Sequence, residues 1–174
     1  MAAHPDALIC YADEMDLDWN PRTTRVWARK GHSPRQMTPG RNEKRIIFGA
    51  LTPGGRFFYS VKDRKRSVCF IEFLKRLLTR VARPAQRVLV ILDSYGTHTA
   101  HIVSDFVATT HDRLRLAFLP DYCPNDNPVE RVWSLLHRAV LHNAYHDSLA
   151  AREQVARCHL TRLQRTGVLN FVHV

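Results

Sequence analysis

The sequence lacks long apolar runs and any sign of an export signal. None of its 174 residues fall in a stretch approaching the roughly 18 consecutive apolar residues that a membrane span needs. The N-terminal residues also lack the basic start and following apolar run of a secretory signal. We therefore expect a protein with no membrane partner.

Cysteine is scarce and scattered. The four cysteines, Cys10, Cys69, Cys123 and Cys158, form no C-x-x-C pair, which argues against a zinc ribbon or a disulfide framework and favours the reducing cytoplasm. The sequence also lacks the glycine-rich phosphate loop of an NTPase and the G-x-S-x-G motif of a hydrolase. The sequence therefore does not support an NTPase or a serine hydrolase of these two types.

Positive charge is what the sequence has in excess. The formal net charge is +10, and residues 1–87 carry 18 basic and 8 acidic side chains, whereas residues 88–174 carry 8 of each. A basic half indicates a polyanionic partner, most simply nucleic acid. The alternative is a basic surface that has no dedicated partner.

Hydrophobic patterning predicts one α/β domain over residues 1–174. Strands are predicted at residues 7–12, 45–51, 56–61, 87–92 and 114–119, and a further short strand at 23–28. Helices are predicted at residues 67–82, 97–109, 128–143 and 148–165. A hairpin followed by strand–helix alternation gives a mixed five-stranded sheet flanked by helices, with residues 14–43 as a basic arm or insertion and residues 146–174 as a C-terminal helical tail.

Three carboxylates occupy positions where mixed α/β sheets commonly carry their catalytic residues. Asp13 follows the first predicted strand, Asp93 follows the central one, and Glu130 opens the helix after the last one. Catalytic groups gather at the carboxyl ends of parallel strands, so these side chains are expected to meet at one edge of the sheet. Clustered carboxylates repel one another unless cations hold them, and Mg²⁺ or Mn²⁺ takes such oxygen ligands.

Each carboxylate also has a simpler explanation. Asp93 could make only a hydrogen bond within a turn. Asp13 could belong to a solvated strand end, where other acidic residues compete for its role. Glu130 lies three residues after Asn127, with Pro128 between them at the first predicted helical position, which is a capping-box arrangement. The order of all three in a basic protein favours a shared site.

Three separated segments carry a family resemblance. YADEMDLDW, VLVILDSYGTHTAH and FLPDYCPNDNPVERVW resemble the endonuclease domain of mariner-type insertion-sequence transposases, in the DDE superfamily, over roughly residues 7–145. The resemblance implies a ribonuclease H-like fold with Asp13, Asp93 and Glu130 as catalytic residues and metal ligands. It implies two Mg²⁺ ions, with Mn²⁺ as a substitute.

The resemblance also implies a function and partners. Such enzymes cut DNA at transposon ends and join the freed 3′-hydroxyl to target DNA. We expect a homodimer, a separate N-terminal helix-turn-helix half and a location in the bacterial cytoplasm at the nucleoid. An inactive or co-opted DNA-binding remnant and a stand-alone ribonuclease H-like nuclease are the alternatives.

Basic residues in two segments, with one histidine, are predicted to contact DNA. The predicted contacts are Arg25, Arg29, Lys30, Lys62, Arg64, Lys65, Arg66 and His98. His98 matches a histidine that is common in the family. The alternative is that it is an ordinary polar residue at a helix start. A solvated basic loop is the alternative for the second segment, and packing of Trp27 into a small satellite core is the alternative for the first.

Overall fold

The computed structural model describes residues 6–120 and 127–167. Its five strands form one sheet of order β3-β2-β1-β4-β5, in which β1 pairs antiparallel with β2 and parallel with β4. The strands are β1 (Leu8–Asp18), β2 (Lys44–Leu51), β3 (Phe57–Lys62), β4 (Val88–Leu92) and β5 (Leu114–Phe118). The predicted mixed five-stranded sheet flanked by helices is confirmed.

The first strand is longer than predicted, so Asp13 is not at its end. Parallel pairing of β1 with β4 stops at Tyr11, but antiparallel pairing with β2 continues from Tyr11 to Asp18. Asp13 therefore lies in mid-strand, two residues beyond the last residue that β4 covers. It still lies at the end of the sheet where strand β4 stops.

The helices differ from the predictions at two places. They are α1 (Ser67–Arg80), α2 (Gly96–Thr99), α3 (His101–Ala108), α4 (Val129–Leu136) and α5 (Leu149–Thr166). The helix predicted at 97–109 is two pieces, because Ala100 is extended with φ −61° and ψ 142°. The helix predicted at 128–143 begins as α4 and continues as a π-helix at His137–Leu141. Among the described residues, no helix is long and apolar enough to cross a membrane.

Two hydrophobic cores lie on opposite faces of the sheet. Cys10 and Ala12 of β1 belong to the core that contains the buried face of α1 and Val103 of α3. Met15 and Leu17 belong to the other, which is completed by α4 and α5. Since neighbouring residues of a strand point to opposite faces, Asp13 faces the α4 side and Glu14 the α1 side.

Residues 19–43 form an irregular basic arm between β1 and β2, and the short strand predicted at 23–28 is wrong. Backbone bonds join the arm to the domain: the amide of Asn143 donates to the Arg22 carbonyl at 3.2 Å. Trp27 is fully exposed, at 102% of its reference area, so it packs in no satellite core.

Candidate active site

Asp13 is held on the α4 side of the sheet by Trp133. The indole Nε1–H of this buried residue donates a hydrogen bond to Asp13 Oδ2 at 2.8 Å. Asp13 pairs across the sheet with Gly49, where an added Cβ would lie 2.5 Å from Trp133 Cη2. Glycine at this position therefore leaves the space through which the indole reaches the carboxylate.

The ionised form of Asp13 is disfavoured in its surroundings. Burial raises the pKa of Asp13 to about 7, and the nearby negative charge of Glu130 raises it in the same direction. Hydrogen bonds from the Trp133 side chain and the Glu14 backbone lower the pKa but do not offset the increase. A cation beside Asp13 would favour its ionised form.

Asp93 stands directly after β4, as predicted, and contacts a buried histidine. Its side chain is 57% exposed, and its Oδ1 lies 3.0 Å from His98 Nδ1. The other ring nitrogen of His98, Nε2, lies 2.6 Å from Glu14 Oε1. Burial lowers the pKa of His98, but its contacts with Glu14 and Asp93 outweigh this effect, so the pKa is raised overall.

Glu14 was not predicted as a functional residue. Its side chain is only 2% exposed, so the alternative of a solvated strand end at Asp13 and Glu14 does not hold for Glu14. Glu14 Oε2 is buried and has no hydrogen-bond partner among the described residues, and the Lys65 ammonium lies 3.9 Å away. The strand alternation could have revealed it, because a strand continued beyond Ala12 turns Glu14 onto the covered α1 face.

The turn before α4 is tied directly to β1. The side chain of Asn127 donates from Nδ2 to the Ala12 carbonyl at 2.9 Å and accepts from the Val129 amide at 3.3 Å. The helix begins at Val129, so Pro128 precedes it rather than occupying its first position. Asn127 therefore couples the start of α4, with Glu130 in its first turn, to the residue next to Asp13.

The three predicted carboxylates are only partly assembled. Glu130 is close enough to Asp13 for its negative charge to raise the pKa of Asp13, whereas Asp93 pairs with His98. Across residues 6–120 and 127–167, no group of three His, Cys, Asp or Glu side chains is arranged so that it could hold a metal ion. The donor set nevertheless fits a hard divalent cation, since it is made of carboxylates and one of them is buried with a raised pKa.

A cleft of about 620 Å³ opens beside Glu130 and Glu14, and neither Asp13 nor Asp93 lines it. Its lining residues are Glu14, Met15, Asp16, Arg22, Lys44, Lys65, Tyr95, Glu130, Trp133, Ser134 and His137. Lys65 lies on its wall, with Nζ 4.0 Å from the centroid of the Tyr95 ring. The cleft thus combines the acidic groups with a cation that could meet a phosphate.

The other predicted DNA contacts lie outside this cleft. The exposed ones are Arg25, Arg29, Lys30, Arg64 and Arg66. Lys62 forms an ion pair with Glu72, so part of its charge is already compensated. His98 is buried and bonded to carboxylates, which makes it a supporting residue of Asp93 and Glu14 in this structure.

Comparison with solved structures gives the same fold. The chain is 19% identical to the mariner Mos1 transposase in its paired end complex with Mg, with a TM-score of 0.68 over 95% of this chain and 51% of that one. It is 16% identical to the catalytic core domain of BIV integrase, with a TM-score of 0.53 over 87% of this chain and 82% of that one. The ribonuclease H-like architecture of such catalytic cores is therefore the architecture of this domain.

Sequence comparison identifies the family. The chain is 34% identical over 143 residues to an uncharacterised 39 kDa protein of insertion element IS630 from Shigella sonnei, a match that covers 82% of this chain. It spans only 40% of the length of that relative. The family model for DDE superfamily endonucleases matches residues 8–151, and the chain belongs to this family.

Proposed function

We propose that this chain is the catalytic domain of a transposase, a metal-dependent DNA endonuclease and strand transferase. It would cut DNA at transposon ends and join the 3′-hydroxyl to target DNA. The observation that carries the proposal is that Asn127 and Trp133 join the start of α4, which carries Glu130, to β1 at Asp13, in a chain of this endonuclease family.

Asp13, Asp93 and Glu130 are the proposed catalytic residues and the ligands of two Mg²⁺ ions, which Mn²⁺ can replace. Such ions would supply charge stabilisation for an in-line displacement at phosphorus. Trp133 orients Asp13, and His98 orients Asp93 while the buried Glu14 holds the far side of the imidazole ring.

The proposed partner is DNA, at both the transposon ends and the target. Lys65 on the cleft wall would contact the phosphate next to the carboxylates, and Lys62, Arg64 and Arg66 would contact flanking phosphates. His98 has no exposed surface for DNA, so we assign it to support of Asp93 instead.

The arm is proposed as the second contact surface. Its exposed Arg25, Arg29, Lys30 and Trp27 suit either DNA or the other subunit of a homodimer. The chain spans 40% of its IS630 relative and about half of the Mos1 chain, so a helix-turn-helix half for recognition of transposon ends is proposed as a separate part.

The decisive test is nicking of supercoiled plasmid in Mn²⁺ by the wild type and Asp93→Asn. The matched control is Asp105→Asn, which removes the same charge from an exposed position on α3. We expect nicking by the wild type and the control, and only background nicking by Asp93→Asn. Circular dichroism and DNA affinity of all three should agree.

Two results would contradict the proposal. Equal nicking by the wild type and Asp93→Asn would show that the activity does not use this site. No nicking by any of the three proteins, with DNA binding intact, would indicate a DNA-binding remnant without catalysis.

A further inference from the structure

A second basic pocket lies away from the carboxylates, at the hairpin end of the edge strand β3. It has a volume of about 410 Å³ and is lined by Arg56, Arg76 and Arg80, with Phe57, Phe58, Val81 and Gln164. It shares no lining residue with the cleft beside Glu130. It is therefore a separate feature of the surface.

The three arginines are not neutralised by the rest of the described chain. None of them is within ion-pair distance of a carboxylate in residues 6–120 and 127–167. Arg76 and Arg80 are four residues apart on α1, a spacing at which like charges destabilise a helix. An anion bound between them would remove this repulsion.

The pocket also holds one guanidinium in place. Arg76 Nη1 donates a hydrogen bond to the buried hydroxyl of Ser60 at 3.0 Å, and its Cζ lies 5.9 Å from the centroid of the Phe58 ring. Phe57 and Phe58 are themselves buried, so they provide an apolar floor that weakens competition from water. A guanidinium fixed in this way is suited to a phosphate, which it can bind through two parallel N–H groups.

We propose that Arg56, Arg76 and Arg80 form a second DNA-binding site that holds backbone phosphates outside the catalytic cleft. The inference rests on the proposed function only in taking DNA as the anion. The site carries no sequence information, because guanidinium–phosphate contacts position a duplex without reading its bases. Its role is to fix the path of the duplex beyond the reacting phosphodiester.

The test is the salt dependence of duplex DNA binding, measured by fluorescence anisotropy in EDTA so that cleavage does not enter. The variant is Arg56→Gln with Arg80→Gln. Each lost phosphate contact reduces the slope of log K against log salt by about 1, so we expect a reduction of about 2. The control Arg115→Gln changes an exposed arginine of β5, the opposite edge strand, and should leave the slope unchanged.

A charge-conserving variant separates phosphate binding from folding. Arg56→Lys with Arg80→Lys should keep the wild-type slope, because lysine also displaces counterions from phosphate. An unchanged slope in the Gln variant would overturn the proposal, as would an equal loss in the Lys variant. Loss of inorganic phosphate binding in the Gln variant, with the DNA slope unchanged, would overturn DNA as the ligand and indicate a free phosphate site.

Discussion

Gly49→Ala is the substitution that most directly tests how Asp13 is held. The new methyl group would lie 2.5 Å from Trp133 Cη2, 2.7 Å from Cζ2 and 3.1 Å from Phe57 Cε2. Neither ring has free space, since Trp133 is 3% exposed and packs edge-on against Phe57 with ring centroids 6.0 Å apart. The indole must therefore shift, and its Nε1–H must move away from Asp13.

The expected loss of stability can be worked from these contacts. Overpacking a core costs about 1–3 kcal/mol, and weakening a hydrogen bond costs about 0.5–1.5 kcal/mol. A stiffer unfolded chain offsets about 0.4–1 kcal/mol of this. We expect Gly49→Ala to lower the free energy of unfolding by about 1–4 kcal/mol and to reduce plasmid nicking.

Urea denaturation followed by far-UV circular dichroism measures this loss. Gly54→Ala is the control, because its nearest neighbour beyond the adjoining residues is 4.0 Å away, and its stability should change little. In a Trp133→Leu background the contacts at 2.5 and 2.7 Å are gone and only Phe57 Cε2 at 3.1 Å remains, so Gly49→Ala should cost much less. A cost that is the same with and without the indole would show that the contact with Trp133 is not its cause.

Three further predictions follow from buried ionisable groups. Asp13 is more easily protonated in the folded chain, so its stabilising contribution is complete below pH 3.8 and is lost as pH rises through about 7. Asp13→Asn should therefore increase the stability of the metal-free protein at pH 8, and Mg²⁺ should stabilise the wild type more than the variant in the same urea assay. Burial lowers the pKa of His137 to about 4, so its neutral form supports folding above pH 6.5 and this support is lost as pH falls through about 4. His137→Gln should reduce the difference in unfolding free energy between pH 7 and pH 4. Arg152, 1% exposed, donates to the carbonyls of Ala144 at 3.1 Å and Leu141 at 3.2 Å, so Arg152→Ala should cost about 3 kcal/mol or more in thermal or urea unfolding.

The first strand shows why sequence patterning found the fold but not its details. In β1 the buried positions are Cys10 and Ala12, followed by Met15 and Leu17. The buried side therefore changes from the α1 face to the α4 face along one strand, because both faces of the sheet are covered. A search for a single alternation ends such a strand at its first carboxylate.

The residues of the candidate site that lie at the end of a strand or the start of a helix were predictable from the sequence. Asp93 ends an apolar run and Glu130 follows a proline at a helix start, and both signals are local. The bond from His98 to Glu14 joins residues 84 apart, and that from Trp133 to Asp13 joins residues 120 apart. No short-range pattern encodes either, so the supporting residues emerge only from the packed structure.

These two supports come from opposite layers of the domain. Trp133 reaches Asp13 from the α4 side, while His98, whose ring centroid lies 4.5 Å from that of Phe70 in α1, holds Asp93 from the other side. A cation shared by Asp13, Asp93 and Glu130 would therefore take its ligands from both layers. Its binding energy would add to the cohesion of the sheet and its two helical layers, because a ligand that binds only the folded state stabilises that state. The cation would also offset two features of this geometry: the negative charge of Glu130 disfavours the ionised form of Asp13, and Asp93 contacts the imidazole of His98.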